Sequence, residues 1–397
     1  MNLRWLSEAG AALEGKRVLL RVDLDSAAPA AVGGDDRLTR AILPTIELLR
    51  RQGARTLLLT QRGQPRGRPD TRLTLAPVAE RLRDLLGEIM FTDDCVGDGV
   101  RRLAVELQPG QVLLLENVGF HPGEEHDDEG FARQLAAHAD CYVGDAFASA
   151  HQAHASNHAV PRLFERRLAG LLVEKELRAL GRLVETPARP FVAVLAGGRL
   201  AEQVGLLSRL VDRADLLVLG GALAHTFLAA RGTAVGASPI EASRVASART
   251  ILDGAARKGV AVLLPLDHIV ASAEDANDRV ELVDAAAIPA GRVGLDIGPR
   301  TREQLANALA DAQTILWHGP LGAAERAAFA GGTRAVAQMV ADSCRRGAFA
   351  AVCGDGTARA VEQAGVTAAI SHVSTGGAAA LEFVEGRALP GLTVLAN

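Results

Sequence analysis

Aromatic side chains are scarce in this chain: phenylalanine, tyrosine and tryptophan together make up 3% of the residues. That scarcity argues against a base-stacking platform for single strands and against an aromatic-lined sugar or peptide groove. Cysteine is sparse too. Cys95, Cys141, Cys344 and Cys353 form no CxxC pair, so they read as buried free thiols of a reduced, cytoplasmic protein. The first ten residues, MNLRWLSEAG, lack the apolar core of a signal peptide. No uncharged apolar stretch approaches the ~18 residues that suggest a membrane span, so no membrane partner is expected. A net charge of −4 and a pI of about 6.2 provide no basic field for nucleic acid. Lysine is nearly missing: Lys16, Lys175 and Lys258 are the three lysines among 43 basic side chains. Wherever this protein keeps a positive charge, it uses arginine.

What is present is apolar and ordered. A chain of 397 residues, 48% of them apolar, is long enough for two domains with sizeable cores. Short runs rich in Val, Leu and Ile recur: RVLLRVDL (17–24), TLLLT (56–60), VLLLEN (112–117), CYVGDAF (141–147), FVAVLAGG (191–198), LLVLGG (216–221), VAVLLPLD (260–267), TILWHGP (314–320) and FAAVCGDG (349–356). They do not alternate with polar residues, which fits strands covered on both faces. The intervening segments have helical spacing, as at Leu43, Ile46, Leu48 and Leu49, closed by Gly53. Repeated β–α order predicts an α/β fold with doubly wound parallel sheets. A helix over 168–185, LAGLLVEKELRALGRLVE, separates four runs from five and is a candidate connector.

In open α/β sheets ligands lie beyond the carboxyl ends of the strands, so the chemistry belongs to the residues that follow each run. Asp23 and Asp25 follow the first run, and the loop Gln61-Arg62-Gly63-Gln64-Pro65-Arg66-Gly67 follows the second. Glu116, Asn117 and Gly119 follow the third; Asp145, His151, Gln152, His154 and His158 follow the fourth. The three histidines share helical spacing but no neighbouring carboxylate, and read as hydrogen-bonded cleft residues rather than metal ligands. In the second half, AGGRLAEQVG (196–205), LGGALAHTFL (219–228), GLDIGP (294–299), WHGPLGAAE (317–325), CGDGT (353–357) and STGGAAALE (374–382) are glycine-rich turns. Such turns free backbone N–H groups for phosphate. Their succession predicts the wall of a nucleotide or phosphate cleft.

Together and in this order, LLLEN–FHPGEE, DAF–AH–AHAS, EKEL–LG, RPFVAVL–GG, GLDIGP, W–GP–G and SH–STGG resemble the phosphoglycerate kinase family, over nearly the whole chain. The resemblance implies two doubly wound domains joined by a long helix. Residues 1–167 with 386–397 would bind 3-phosphoglycerate on a basic patch, 168–185 would connect, and 186–385 would bind Mg-ATP or Mg-ADP. Hinge closure would bring the substrates together in a monomer working in glycolysis or the Calvin cycle.

Position by position, the resemblance also implies change. Asp23 is kept, and Asp25 stands where the family has Asn. The patch arginines are replaced by Leu38, Gln64, Gly119 and Gln152, and a patch histidine by Gln61, while His151 is kept. On the nucleotide side the first Lys of the family's motif has become Arg199, and the second, which reaches the transferring phosphoryl group, has become Gln203. Gly220, Gly221, Gly294 and the ribose-binding Glu325 remain. The family's Gly-Gly-Gly-Asp-[Ser/Thr] reads Cys353-Gly354-Asp355-Gly356-Thr357, which displaces the metal-serving carboxylate by one residue to Asp355. Drift toward arginine cannot remove arginine. The expectation is therefore a scaffold with weak or absent turnover, a pseudoenzyme in a binding or regulatory role. The alternative is an active kinase whose patch is rearranged onto Arg37, Arg62, Arg66 and Arg199.

Overall fold

The structure is a computed structural model that describes residues 2–24, 37–272, 280–284 and 288–396. The chain forms two compact units. One comprises Met1–Arg178, Ala378–Phe383 and Arg387–Asn397; the other comprises Ala179–Gly377 and Val384–Gly386. The segment Ala378–Phe383 thus lies with the first unit, although it falls inside the expected 186–385 domain.

The first unit is built on six parallel strands: β1 (Arg17–Val22), β2 (Arg55–Leu59), β3 (Met90–Phe91), β4 (Val112–Leu114), β5 (Cys141–Asp145) and β6 (Arg167–Ala169). Their order across the sheet is β3-β4-β2-β1-β5-β6. Val18, Leu19 and Leu20 of β1 and Leu57, Leu58 and Leu59 of β2 are fully buried, as strands covered on both faces must be. Each such side chain contributes about 1.5–3 kcal/mol of burial. The helix Arg37–Arg51 covers one face through Ile42, Ile46 and Leu49, one helical stripe. Leu43 and Leu48, expected on that stripe, are only half-buried. Gly53, at φ 68, ends the turn that follows.

The second unit repeats the plan with β7 (Phe191–Leu195), β8 (Leu216–Leu219), β9 (Ala261–Leu263), β13 (Thr314–His318), β14 (Phe349–Cys353) and β15 (His372–Val373), in the order β15-β14-β13-β7-β8-β9. Between β9 and β13 the chain adds a small antiparallel sheet, β11-β10-β12, from β10 (Asp267–Ala271), β11 (Glu281–Asp284) and β12 (Val293–Ile297).

Two expectations are corrected here. The helix expected over 168–185 spans Leu171–Val184, because Leu168 and Ala169 pair with Val143 and Gly144 as the edge strand β6. GLDIGP is not a turn: Gly294 to Ile297 lie in β12, and only Gly298 turns the chain into the helix Pro299–Ala310. The small sheet escaped periodicity as well, since its strands are only four or five residues long.

In both large sheets the strand order reverses at one place, β1/β5 in the first and β7/β13 in the second. Connections leave those neighbours in opposite directions and open a crevice at their carboxyl ends.

Candidate active site

At the crevice of the first unit lies a cavity of about 450 Å³, lined by Arg21, Asp23, Gln61, Gly63, Gln64, Arg66, Glu125, Ser149, Gln152 and His154. Asp23 closes the end of β1 and accepts hydrogen bonds from Ser149 N (3.0 Å) and Ser149 Oγ (2.7 Å), which ties the loop after β5 to the end of β1. Arg21, buried in β1, donates to Asp23 Oδ1 at 3.1 Å and to Ser156 Oγ at 2.8 Å. Ser156 in turn donates to the buried carboxylate of Glu124 through N (2.9 Å) and Oγ (2.6 Å).

The loop after β2 is held from outside. Asn117 Nδ2 donates to Arg62 O at 2.8 Å, and its Oδ1 accepts from Arg62 N at 3.2 Å. Glu116 accepts from Leu75 N and Asn117 N, each at 2.8 Å, and from Thr74 Oγ1. Within the loop, Gln61 Nε2 is spent on Gly63 O at 3.2 Å. Arg62 turns away from the cavity, donating to Thr74 O at 2.7 Å. Arg66 lines the cavity and stands at φ 54, a left-handed conformation that costs a residue with a Cβ about 1–2 kcal/mol. Among the ionic lining residues, two guanidinium groups face two carboxylates, Asp23 and Glu125.

The sequence-predicted patch thus divides. Asp23, Gln61, Gln64, Gln152 and Arg66 come together. Gly119 packs against Pro65, and His151 turns its Nδ1 to Ala148 O at 2.9 Å; neither lines the cavity. Arg37 and Leu38 open the helix Arg37–Arg51 and are not among the lining residues. Asp25 lies outside the described residues. The three histidines do not share one face. His154 caps the turn Ala155–Ala159, and His158 Nδ1 meets Asp127 Oδ2 at 2.6 Å. Contrary to the reading that no carboxylate serves them, Asp127 and Glu124 arrive from another segment. Among the described residues, Asp94, Cys95 and His121 bring three potential metal-ligand atoms within 4.8 Å, outside both cavities.

The second crevice holds a cavity of about 210 Å³ whose wall includes Gly197, Gly221, Gly294, Pro320 and Glu325. Gly319, at φ 89, crosses β7 so closely that a Cβ there would sit 2.0 Å from Ala196 O. Gly319 N donates to Thr357 Oγ1 at 2.7 Å, which joins the turn after β13 to the helix Asp355–Gln363. Of the predicted nucleotide positions, Gly221, Gly294 and Glu325 line the cavity. Gly220 backs onto Leu321, and Gly354 onto His318. Asp355 and Gly356 are exposed at the head of their helix. Arg199 is exposed, with Glu202 3.8 Å away. Gln203 is buried: its Nε2 donates to Ala196 O at 3.3 Å, and its Oε1 has no partner.

Sequence reasoning missed Arg21, Ser149 and Glu125 in the first cavity, and His225, His268 and Asp296 in the second. The available signal was a polar residue inside an apolar run: Arg21 in RVLLRVDL, His225 in ALAHTFL and His268 in LPLDHIV. Asp296 accepts from Ile297 N at 2.9 Å and Gly332 N at 2.7 Å, while burial pushes its carboxyl up to about 6.

Mg²⁺ keeps several waters and takes one or two carboxylates besides phosphate oxygens. An exposed Asp355 at the helix head fits that limited demand.

Comparison with known proteins gives a consistent result. The sequence model described as phosphoglycerate kinase matches residues 9–387. A phosphoglycerate kinase of Anaeromyxobacter sp. (strain Fw109-5) is 45% identical over 391 residues, covering 96% of this chain and 97% of that protein. One from Synechococcus elongatus is 44% identical over 402 residues, covering 100% and 99%. The structure of phosphoglycerate kinase from Coxiella burnetii superposes with a TM-score of 0.88 at 35% identity, covering 100% of both chains.

Proposed function

The chain belongs to the phosphoglycerate kinase family, and from that premise we propose that it is a working phosphotransferase with a rearranged anion patch. The proposed reaction is the family's. A carboxylate oxygen of 3-phosphoglycerate attacks the γ-phosphorus of ATP, the bond to the bridging oxygen breaks, and ADP leaves with that electron pair. The first cavity takes the acceptor and the second takes the nucleotide. The observation that carries this reading is the polar cavity of about 450 Å³ at the first crevice, which both Arg66 and the buried Arg21 line.

In this reading Arg66 supplies the cation for the acceptor's anionic groups. Arg21 fixes Asp23, and Asp23 holds the loop after β5 through Ser149. Of the four arginines named as compensating, Arg66 is the one that lines a cavity. Asp355 would hold a nucleotide-bound Mg²⁺, which would supply neutralisation of phosphate charge. A cytoplasmic monomer is the proposed setting, and the four free cysteines fit its reducing compartment.

One observation favours a second reading, attenuated turnover with a binding or regulatory role. Gln203 carries no charge and turns its amide to Ala196 O, whereas one stabilising cation is worth ~10³–10⁵ in phosphoryl-transfer rate. A coupled assay with 3-phosphoglycerate, ATP and Mg²⁺ separates the two. The working enzyme shows turnover that saturates in both substrates and weakens in Arg66→Ala. A rate no higher than that of the reagents alone overturns it and leaves the second reading.

A further inference from the structure

A group of metal-ligating side chains in the first unit has no role in the reading above. Asp94 and Cys95 sit in the turn that follows β3, and His121 sits just past the short turn Val118–Phe120 that follows β4. β3 and β4 are paired neighbours in the sheet, so the segments at their carboxyl ends run side by side. A carboxylate oxygen of Asp94, the Cys95 Sγ and a ring nitrogen of His121 all lie within 4.8 Å of one another. Among the described residues no other three such groups come so close.

The group is already aimed. Asp94 Oδ1 meets His121 Nε2 at 2.7 Å and accepts from Cys95 N at 2.6 Å and Val96 N at 3.3 Å. The His121 ring stacks on Phe131, with centroids 5.0 Å apart and planes inclined at 20°. Cys95 is 1% exposed and forms no disulfide. The side chains of His121 and Asp94 are 30% and 49% exposed, so an ion reaches the thiol from their side. A His–Asp hydrogen bond accounts for two of the three groups; the thiol buried beside them completes a donor set. Burial, with the carboxylates of Asp94, Glu124 and Glu116 nearby, pushes that thiol well up. The same anionic surroundings favour a cation. A tetrahedral zinc ion with bonds of ~2.0–2.3 Å spaces its ligand atoms ~3.3–3.8 Å apart. Exchanging the shared proton for an ion therefore asks Asp94 and His121 to part by roughly 0.6 Å, which two partly exposed side chains allow.

We propose that Asp94, Cys95 and His121 form a three-ligand site for zinc or a similarly borderline-soft divalent cation, with water in the fourth position. Thiolate and imidazole select such ions over Mg²⁺, which prefers oxygen throughout. On binding, the Cys95 S–H bond breaks, the sulfur electron pair forms the bond to the ion, and the proton passes to solvent. His121 binds through the Nε2 lone pair, and the proton it shared with Asp94 moves to Nδ1. Asp94 binds as a carboxylate that two backbone N–H groups keep in place. The ion thus clasps the turn after β3 to the segment after β4. That segment runs on through Pro122, which lies 2.7 Å from where a Cβ of Gly67 would be, to Glu125 on the wall of the first cavity. The site braces that wall from behind and does not depend on what the cavity binds.

The test is titration of the chelator-treated full chain with Co²⁺, followed by displacement with Zn²⁺. The expected result is a thiolate-to-cobalt charge-transfer band and the intense visible bands of tetrahedral cobalt, saturating at one ion per chain. Zn²⁺ abolishes both and excess Mg²⁺ abolishes neither. Cys95→Ser loses the charge-transfer band, His121→Gln weakens Zn²⁺ binding by more than ~100-fold, and Cys344→Ser, which alters a thiol outside the group, behaves like the parent. Zn²⁺ raises the urea midpoint of the parent and not that of Cys95→Ser. X-ray absorption of the zinc-loaded unmodified protein shows a single sulfur neighbour at ~2.3 Å among nitrogen and oxygen, a readout independent of the variants' folding. Cobalt bound without a sulfur ligand, a charge-transfer band that survives Cys95→Ser or vanishes in Cys344→Ser, or displacement by Mg²⁺ as readily as by Zn²⁺ each overturn the inference.

Discussion

Arg66 is where stability and function pull in opposite directions, and this makes it a sharp test. Its φ of 54 is left-handed, a region that glycine adopts without a steric penalty. The conformation costs about 1–2 kcal/mol for a residue with a Cβ. Glycine removes that cost but gives back ~0.5–1 kcal/mol through the greater entropy of its unfolded state. Arg66→Gly should therefore be between neutral and about 1.5 kcal/mol more stable than the parent, and Arg66→Ala should gain nothing. Function should move the other way in both variants. A hydrogen bond to a charged partner contributes ~1.5–3 kcal/mol, so removing the guanidinium should raise KM for 3-phosphoglycerate by roughly 10- to 150-fold. Stability is read from urea unfolding in a Trp317→Phe background, which leaves Trp5 as the sole tryptophan, located in the first unit. KM is read from the coupled assay. A glycine variant destabilised by more than ~1 kcal/mol would show that the Arg66 side chain packs rather than strains. A KM within 3-fold of the parent's would show that another cation holds the acceptor.

Further outcomes follow from the same geometry. Gln152 is exposed on the cavity wall, so Gln152→Arg should lower KM for 3-phosphoglycerate by about 10-fold or more without loss of stability; an unchanged KM would count against this wall as the acceptor site. Gly119→Arg should not act likewise. A Cβ there would sit 2.8 Å from Pro65 Cγ, and overpacking of this kind costs ~1–3 kcal/mol, visible as a lower urea midpoint. Asp145 is fully buried with its Oδ1 on Val173 N (3.0 Å), and burial pushes its carboxyl up to about 7. In the unfolded chain it titrates near ~3.9, so the folded state holds a proton that the unfolded state releases. Its stability contribution is full below about pH 4 and falls as pH rises to about 7. Asp145→Asn keeps the acceptor for Val173 N and should flatten that slope, an advantage growing toward ~4 kcal/mol above pH 7. Parallel pH profiles of urea stability for parent and variant would refute it.

Legibility differed between the layers of this protein. Long apolar runs such as TLLLT and FVAVL announced the central strands, because a strand covered on both faces has little room for polar residues. Short edge strands carry no such signature. Arg167–Ala169 merged into the helix that follows it, and Val293–Ile297 looked like a glycine turn. Within the site, backbone position was readable and side-chain direction was not. Arg62 and Arg66 flank the same turn and looked equivalent, yet one donates to Thr74 O and the other lines the cavity. Nothing local distinguishes them; Asn117, some fifty positions along the chain, sets the loop's course by gripping the backbone at Arg62.

The order of apolar runs and glycine turns by itself determined the doubly wound plan, and motifs such as LLLEN, DAF and GLDIGP carried the resemblance to the family. Those features are written in local composition and spacing. Tertiary structure alone decided which charged groups line the first cavity, that Pro65 fills the space beside Gly119, and that His225 and His268 both approach Gly294. Each of these depends on segments distant in sequence meeting at a few ångströms. Hydrogen bonds, steric contact and desolvation act over that distance, and residue order does not record it.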